Sequence, residues 1–344
     1  MSEEPNASIV VVTTSYPEHP GDAQGHFVAA EVRRLAEHAA VTVLAPGRSR
    51  EPLGRERVVS LGGGSAFGFP GALTRLKQAP WRAFAAAGFV ARAEAWLRRA
   101  PAPTQLIAHF LLPCGVPLAT GRARAATQLE IVVHGSDARL FAALPERAGK
   151  AWVARELVRA RPQLRFVSSE LRELVLGSLE PSQRSALSEL CRVEPCAVDV
   201  PTSLSRAEAR DRLGLPRDAR LAVIVARLVP GKRVHVALEA CERLPRLRVV
   251  VVGEGPERSA LSRRFPGVTF VGHVERPRAL TWVAAADVLV SASLSEGAPT
   301  VVREARALGT PVVCLEAGDV RRWAEADPGI HVVGAAERRG PSSG

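Results

Sequence analysis

The chain has 344 residues, a formal net charge of +11, a hydrophobic share of 47% and five cysteines. That length exceeds one typical domain and accommodates two, with enough apolar residues for large cores. No apolar run is long enough to span a bilayer, the first residues, MSEEPNAS, do not resemble a secretory leader, and an odd cysteine count without CxxC argues against a disulfide framework or zinc site and predicts a reducing cytoplasm.

Nearly all the positive charge is arginine, since Lys77, Lys150 and Lys232 are the only lysines. Most of it reads as solvated surface. Between Arg48 and Arg99, however, basic residues far outnumber Glu51, Glu56 and Glu94. No nucleic-acid reader motif accompanies this charge, so nucleic acid is not expected as a partner.

In chain order, Ile9–Thr13 is a buried parallel strand by its unbroken β-rich apolar run. A loop with Pro17, Pro20, Gly21 and Gly25 follows, then a helix from about His26 to His38 and a strand at Val41–Leu44. Gly25 at the helix entry would let a phosphate approach the helix N-terminus, although the dinucleotide fingerprint is absent. Arg48–Pro80 shows no regular pattern. The helix Trp81–Arg99 mixes Trp81, Phe84, Phe89 and Trp96 with arginines, and is either a core helix or an interfacial one on anionic lipid. Strands at Gln105–Ala108 and Ile131–Val133 end in His109 and His134. Ligands of open parallel sheets bind beyond such ends. The spacing of the two histidines does not by itself support a metal pair, and a lone histidine there is more often structural. A further strand covers Arg165–Ser168.

Glu194–Ser203, with two prolines, is the expected interdomain linker, after which the β/α alternation restarts. Strands are expected at Leu221–Ala226, Leu247–Val252, Val268–Val271 and Asp287–Val290, with a helix at Lys232–Leu244. Two Rossmann-like halves would leave a cleft for ligands. Arg227 and Lys232 flank the turn after the first of these strands, a planar fork and a mobile point charge suited to a diphosphate. In Asp287–Cys314 a strand is followed by a polar loop holding Glu296 and by a helix that Pro299 can start and Gly309 stops. Glu304 points to the apolar side of that helix and has no basic residue three or four positions away. It therefore pairs either with a distant arginine or with a ligand.

The segments VARLVPGKRVHVALEA, VVVVGEGPERSAL, VTFVGHV and ADVLVSASLSEGAPTVVREARALGTPVV, in this order, closely resemble a retaining family-4 glycosyltransferase of the GT-B fold, including the Glu-x7-Glu pair as Glu296 and Glu304. The N-terminal half is similar more loosely, through TTSYPEHPGDAQGHFVAAEVRRLA, AHFLLPCG and HGSD. The resemblance implies an α/β fold of two Rossmann-like domains, 1–198 on the acceptor side and 199–333 for the donor, with 334–344 a disordered tail. It implies that a nucleotide-diphosphate sugar is the donor and that neither cofactor nor metal is needed; no Asp-x-Asp occurs. Arg227 and Lys232 would hold the pyrophosphate, Glu304 the ribose, and Glu296 the donor sugar, with backbone N–H groups near Pro299, Thr300 and Val301 by the phosphates. Gly272 and Val274 would line the base pocket, Gly25 would meet the pyrophosphate, and His134 would lie near the reacting carbon and a glycan or lipid-linked acceptor. An anionic membrane surface touching 48–99 would suit such an acceptor.

The sequence departs from that family where Asn-Gly of the linker is Cys196-Ala197, where Gly-Gly-x-x-Glu reads Gly318-Asp319-Val320-Arg321-Arg322, and where a returning C-terminal helix is expected. Two functions follow: a sugar transferase, or a nucleotide-sugar-binding protein of the same fold with weak or no turnover.

Overall fold

The computed structural model describes residues 8–48, 50–67, 75, 78–121, 128–200 and 204–334. The chain divides into two compact units, Met1–Ala197 and Val198–Gly344. This division falls within the stretch expected as a linker, of which 201–203 lie outside the described residues, as do Lys77 and most of the expected tail.

The first unit is built on strands β1 (Ser8–Val12), β2 (Ala40–Ala45), β3 (Arg57–Ser60), β4 (Gln105–His109), β5 (Gln128–Val133), β6 (Gln163–Phe166) and β7 (Cys191–Val193). They form one parallel sheet in the order β3-β2-β1-β4-β5-β6-β7. The second unit carries β8 (Arg220–Val225), β9 (Leu247–Val252), β10 (Thr269–Gly272), β11 (Val288–Ser291), β12 (Val312–Leu315) and β13 (Ile330–Val333). Its sheet is parallel too, in the order β10-β9-β8-β11-β12-β13.

The order thus reverses once in each sheet, between β1 and β4 and between β8 and β11. Such a reversal leaves a crevice at the carboxyl ends of the two diverging strands, where open α/β sheets bind ligands. The apolar runs have the burial this demands. In β9, Val249 and Val251 pack into one layer with Leu238, Cys241 and Leu261. Val250 and Val252 pack into the opposite layer with Val283, Leu289 and Val302. A strand covered on both faces can be apolar throughout. β3 falls inside Arg48–Pro80, where the pattern predicts nothing regular, because a four-residue edge strand carries too short a signal.

Each unit has its own polar clamp. In the second unit the Asp287 carboxylate accepts from the Leu221 N–H at 2.8 Å and from Arg210 at 2.9 Å. In the first, Arg165 is buried and donates to both Glu31 and Glu130, whose second oxygen accepts from Arg192 at 2.9 Å. Among the described residues no helix is long and apolar enough to cross a membrane. The helix Arg82–Arg99 buries Ala86, Phe89, Ala93 and Leu97 on one face, while Trp81 and Phe84 stand 67% and 82% exposed.

Candidate functional site

At the reversal point of the second sheet, the loop after β8 and the loop after β11 are joined. The Leu294 N–H donates to the Gly231 carbonyl at 2.9 Å. This bond sets the short 3-10 turn Pro230–Lys232 beside the loop that carries Glu296. Lys232 Nζ donates to Glu296 Oε1, and their side chains are 21% and 18% exposed. Arg227 precedes this turn in the loop after β8 and is exposed. Gly318 holds the Glu296 loop from below: its φ is +62°, and a Cβ there would meet the Gly297 carbonyl oxygen at 2.2 Å, so only glycine fits.

The helix after this loop runs Thr300–Ala307. Pro299 is its N-cap in extended geometry (φ −62°, ψ 103°), not its first helical residue as the pattern predicts. Its first turn carries no acidic side chain, so the N–H groups of that turn are not neutralised within the helix. Thr300 and Val301 are half-buried there, and Val302 rather than Val301 reaches the core. The site thus brings together two cations, one carboxylate and a helix N-terminus. An anion with two phosphates complements that set.

Glu304 is buried, as its helical position predicts, and its partner is a distant arginine. Arg276 Nη2 donates to Glu304 Oε1 at 2.8 Å, and the same guanidinium donates to the Asp199 carbonyl. Of the two partners the sequence leaves open for Glu304, a distant arginine or a ligand, the fold supplies the arginine. Arg276, which starts the helix Arg276–Ala285, lies 28 residues earlier and comes near only through the fold. Gly272 closes β10 with φ +86°, and Val274 packs on the adjoining core.

Gly25 and His134 belong to the first unit. Gly25 is the N-cap of the helix His26–Ala36 with φ +65°, and a Cβ on it would lie 2.5 Å from the Ser15 carbonyl carbon. A close backbone approach therefore explains this glycine without a ligand. His134 caps the helix Gly135–Ala142, and its N–H donates to Asp137 Oδ1 at 2.9 Å. Its ring contacts Phe27 and Phe110 at centroid separations of 5.1 and 4.6 Å. His109, which the pattern places only at a strand end, lies with Nδ1 3.2 Å from His134 Nε2. Burial, with the nearby Arg165 charge adding to it, holds the His109 imidazole down at about 3. Burial also holds His134 well below the usual range, helped by His109 and Arg165, so both rings are neutral. Burial pushes the Asp137 carboxyl up to about 7, against the backbone N–H groups that donate to it.

Residues 219–337 match the family model described as Glycosyl transferases group 1. The chain is 35% identical over 221 residues to a putative teichuronic acid biosynthesis glycosyltransferase, TuaC, of Bacillus subtilis, covering 63% of this chain and 54% of that protein. It is 33% identical over 166 residues to a D-inositol 3-phosphate glycosyltransferase of Mycolicibacterium smegmatis, covering 44% of this chain and 37% of that one. The chain therefore spans about half or less of the length of these curated relatives. Among solved structures, sucrose-phosphate synthase of Thermosynechococcus elongatus superposes with TM-score 0.65 at 16% identity, over 95% of this chain and 86% of that one. HepE of Anabaena in complex with UDP superposes with TM-score 0.62 at 16% identity, over 96% and 86%. At such identities the likeness speaks for the fold alone. This chain contains two parallel Rossmann-like sheets, an α/β fold that matches GT-B glycosyltransferase structures, and its residues 219–337 form a Glycosyl transferases group 1 domain.

Proposed function

We propose that the protein is a glycosyltransferase that takes a sugar from a nucleotide-diphosphate donor and transfers it with retention of anomeric configuration. The observation that carries this reading is the junction of the Pro230–Lys232 turn with the Glu296 loop, which sets Arg227, Lys232 and the start of the helix Thr300–Ala307 at one sheet end.

As the donor bond breaks, negative charge grows on the leaving phosphate. Cations fixed in advance around that charge lower the barrier because they need no reorganisation. Arg227 and Lys232 supply them, so this step needs no metal from solution. In the absence of donor, Lys232 is held by Glu296, a partly exposed pair worth about 0–1 kcal/mol, which a diphosphate displaces readily. Glu296 is then released toward the sugar hydroxyls. Glu304, oriented by Arg276, accepts from the ribose hydroxyls, while Gly272 and Val274 border the base. His134 serves the acceptor side as a neutral imidazole.

The acceptor class proposed is a glycan or a lipid-linked sugar. Support comes from the teichuronic acid biosynthesis named for the Bacillus subtilis relative and from the exposed Trp81 and Phe84 on an arginine-rich helix, a surface suited to an anionic bilayer. Calorimetric titration of the full chain with uridine, guanosine and adenosine diphosphates tests the donor assignment. Uridine diphosphate is the first probe, since HepE is recorded with it. Saturable binding of one of the three is expected. No binding by any of them would overturn the assignment.

A further inference from the structure

Three side chains with metal-binding atoms meet in the first unit, and the donor chemistry uses neither of two of them. His109 closes β4, His134 follows β5, and Cys196 follows β7. One ligand atom from each lies within 4.8 Å of the other two. They are 0%, 9% and 4% exposed. His109 and His134 already share one close N···N contact of 3.2 Å, while His109 Nε2 is sealed from solvent with no hydrogen-bond partner. A buried ring nitrogen left in that state is unfavourable and calls for an occupant.

We propose that His109, His134 and Cys196 form a binding site for a divalent ion of the zinc class. Two imidazoles and a thiolate are borderline-soft donors that suit zinc, whereas magnesium and calcium prefer oxygen. Ligand atoms on a tetrahedral zinc sit roughly 3.4–3.8 Å apart, so the cluster closes on an ion by small side-chain rotations. Three protein ligands leave a fourth position for water. Supporting contacts are in place as well. Asp137 accepts the His134 and Leu111 N–H groups and so fixes both loops that face the ion. Phe27 and Phe110 wall the site against bulk water. Arg165, the buried cation whose charge reaches the two rings, is paired with both Glu31 and Glu130, which offset most of the opposition it would offer to a metal ion. The linker cysteine also accounts for the departure from Asn at this position.

The proposal is independent of the donor assignment, because every ligand lies in the first unit. It is tested on the full chain, stripped with a chelator and titrated with zinc chloride or cobalt chloride. Wild type is expected to bind one equivalent of zinc, to melt at a higher temperature when loaded, and to show a thiolate-to-cobalt charge-transfer band. Cys196→Ser changes one atom and should lose that band and weaken zinc binding by on the order of 100-fold. His109→Gln should weaken it similarly, and each variant's far-UV circular dichroism and cooperative metal-free melting report whether it is folded. A wild type without the cobalt band overturns the proposal. So does a Cys196→Ser protein that binds zinc as wild type does, since the metal would then be held by surface histidines.

Discussion

The two sheets have the same strand order around their reversal points but opposite chemistry there. In the first unit the carboxyl-end groups are neutral, aromatic and closed off: His109, His134, Phe27 and Phe110, backed by the buried Arg165 network. In the second they are charged and reachable: Arg227, Lys232 and Glu296. A shared topology therefore says where a ligand goes and leaves its chemistry to a few loop residues. Charge that is buried must be spent on the fold, because an unpaired ion away from water is costly. Charge that stays half-exposed can be held by a weak internal partner and handed to a ligand.

The largest expected effect breaks the buried side of this contrast. Arg165→Leu leaves Glu31 and Glu130 without their shared cation and should cost about 3–5 kcal/mol of stability, read by urea unfolding of the full chain. A loss below about 1 kcal/mol would mean that the network is not structural. In the second unit the balance is reversed. Lys232→Ala and Arg227→Ala should each weaken nucleoside diphosphate binding by about 1.5–3 kcal/mol, the worth of a charge-assisted contact, with almost unchanged unfolding. Unaltered affinity in both variants would remove the diphosphate site.

Glu304 sits between the two regimes, buried like the first and placed near the second. Glu304→Gln retains a hydrogen bond to Arg276, so its stability cost should stay near about 0.5–1.5 kcal/mol. Its nucleoside affinity should nonetheless fall, and Arg276→Ala should lower it less. Should Glu304→Gln lose stability and keep its affinity, the Arg276 pair is the whole role of this carboxylate. The smallest effect concerns the exposed aromatics. Trp81→Ala and Phe84→Ala should leave stability within about 0.5 kcal/mol while reducing sedimentation with anionic vesicles at low salt. Equal sedimentation of variant and wild type would exclude this face as the lipid contact.

The sequence alone carried the parallel α/β class and two halves, and it put Arg227, Lys232, Glu296 and Glu304 forward as candidates. Each of these is written locally: unbroken β-rich runs such as Val249–Val252, a turn holding two cations, and two carboxylates spaced along one strand-loop-helix unit. Periodicity and spacing are short-range signals, and these features are short-range. Tertiary structure decided what depends on distant segments meeting. The strand order, and with it the reversal points at β1/β4 and β8/β11, follows from pairing across crossovers. So does the Arg276 partner of Glu304, 28 residues away. So does the convergence of His109, His134 and Cys196, which no spacing announces because three separate strands deliver them. Even the exposure of Phe84 beside the burial of Phe89 on one helix was settled only by which face packed against the segments around Phe67 and Leu111.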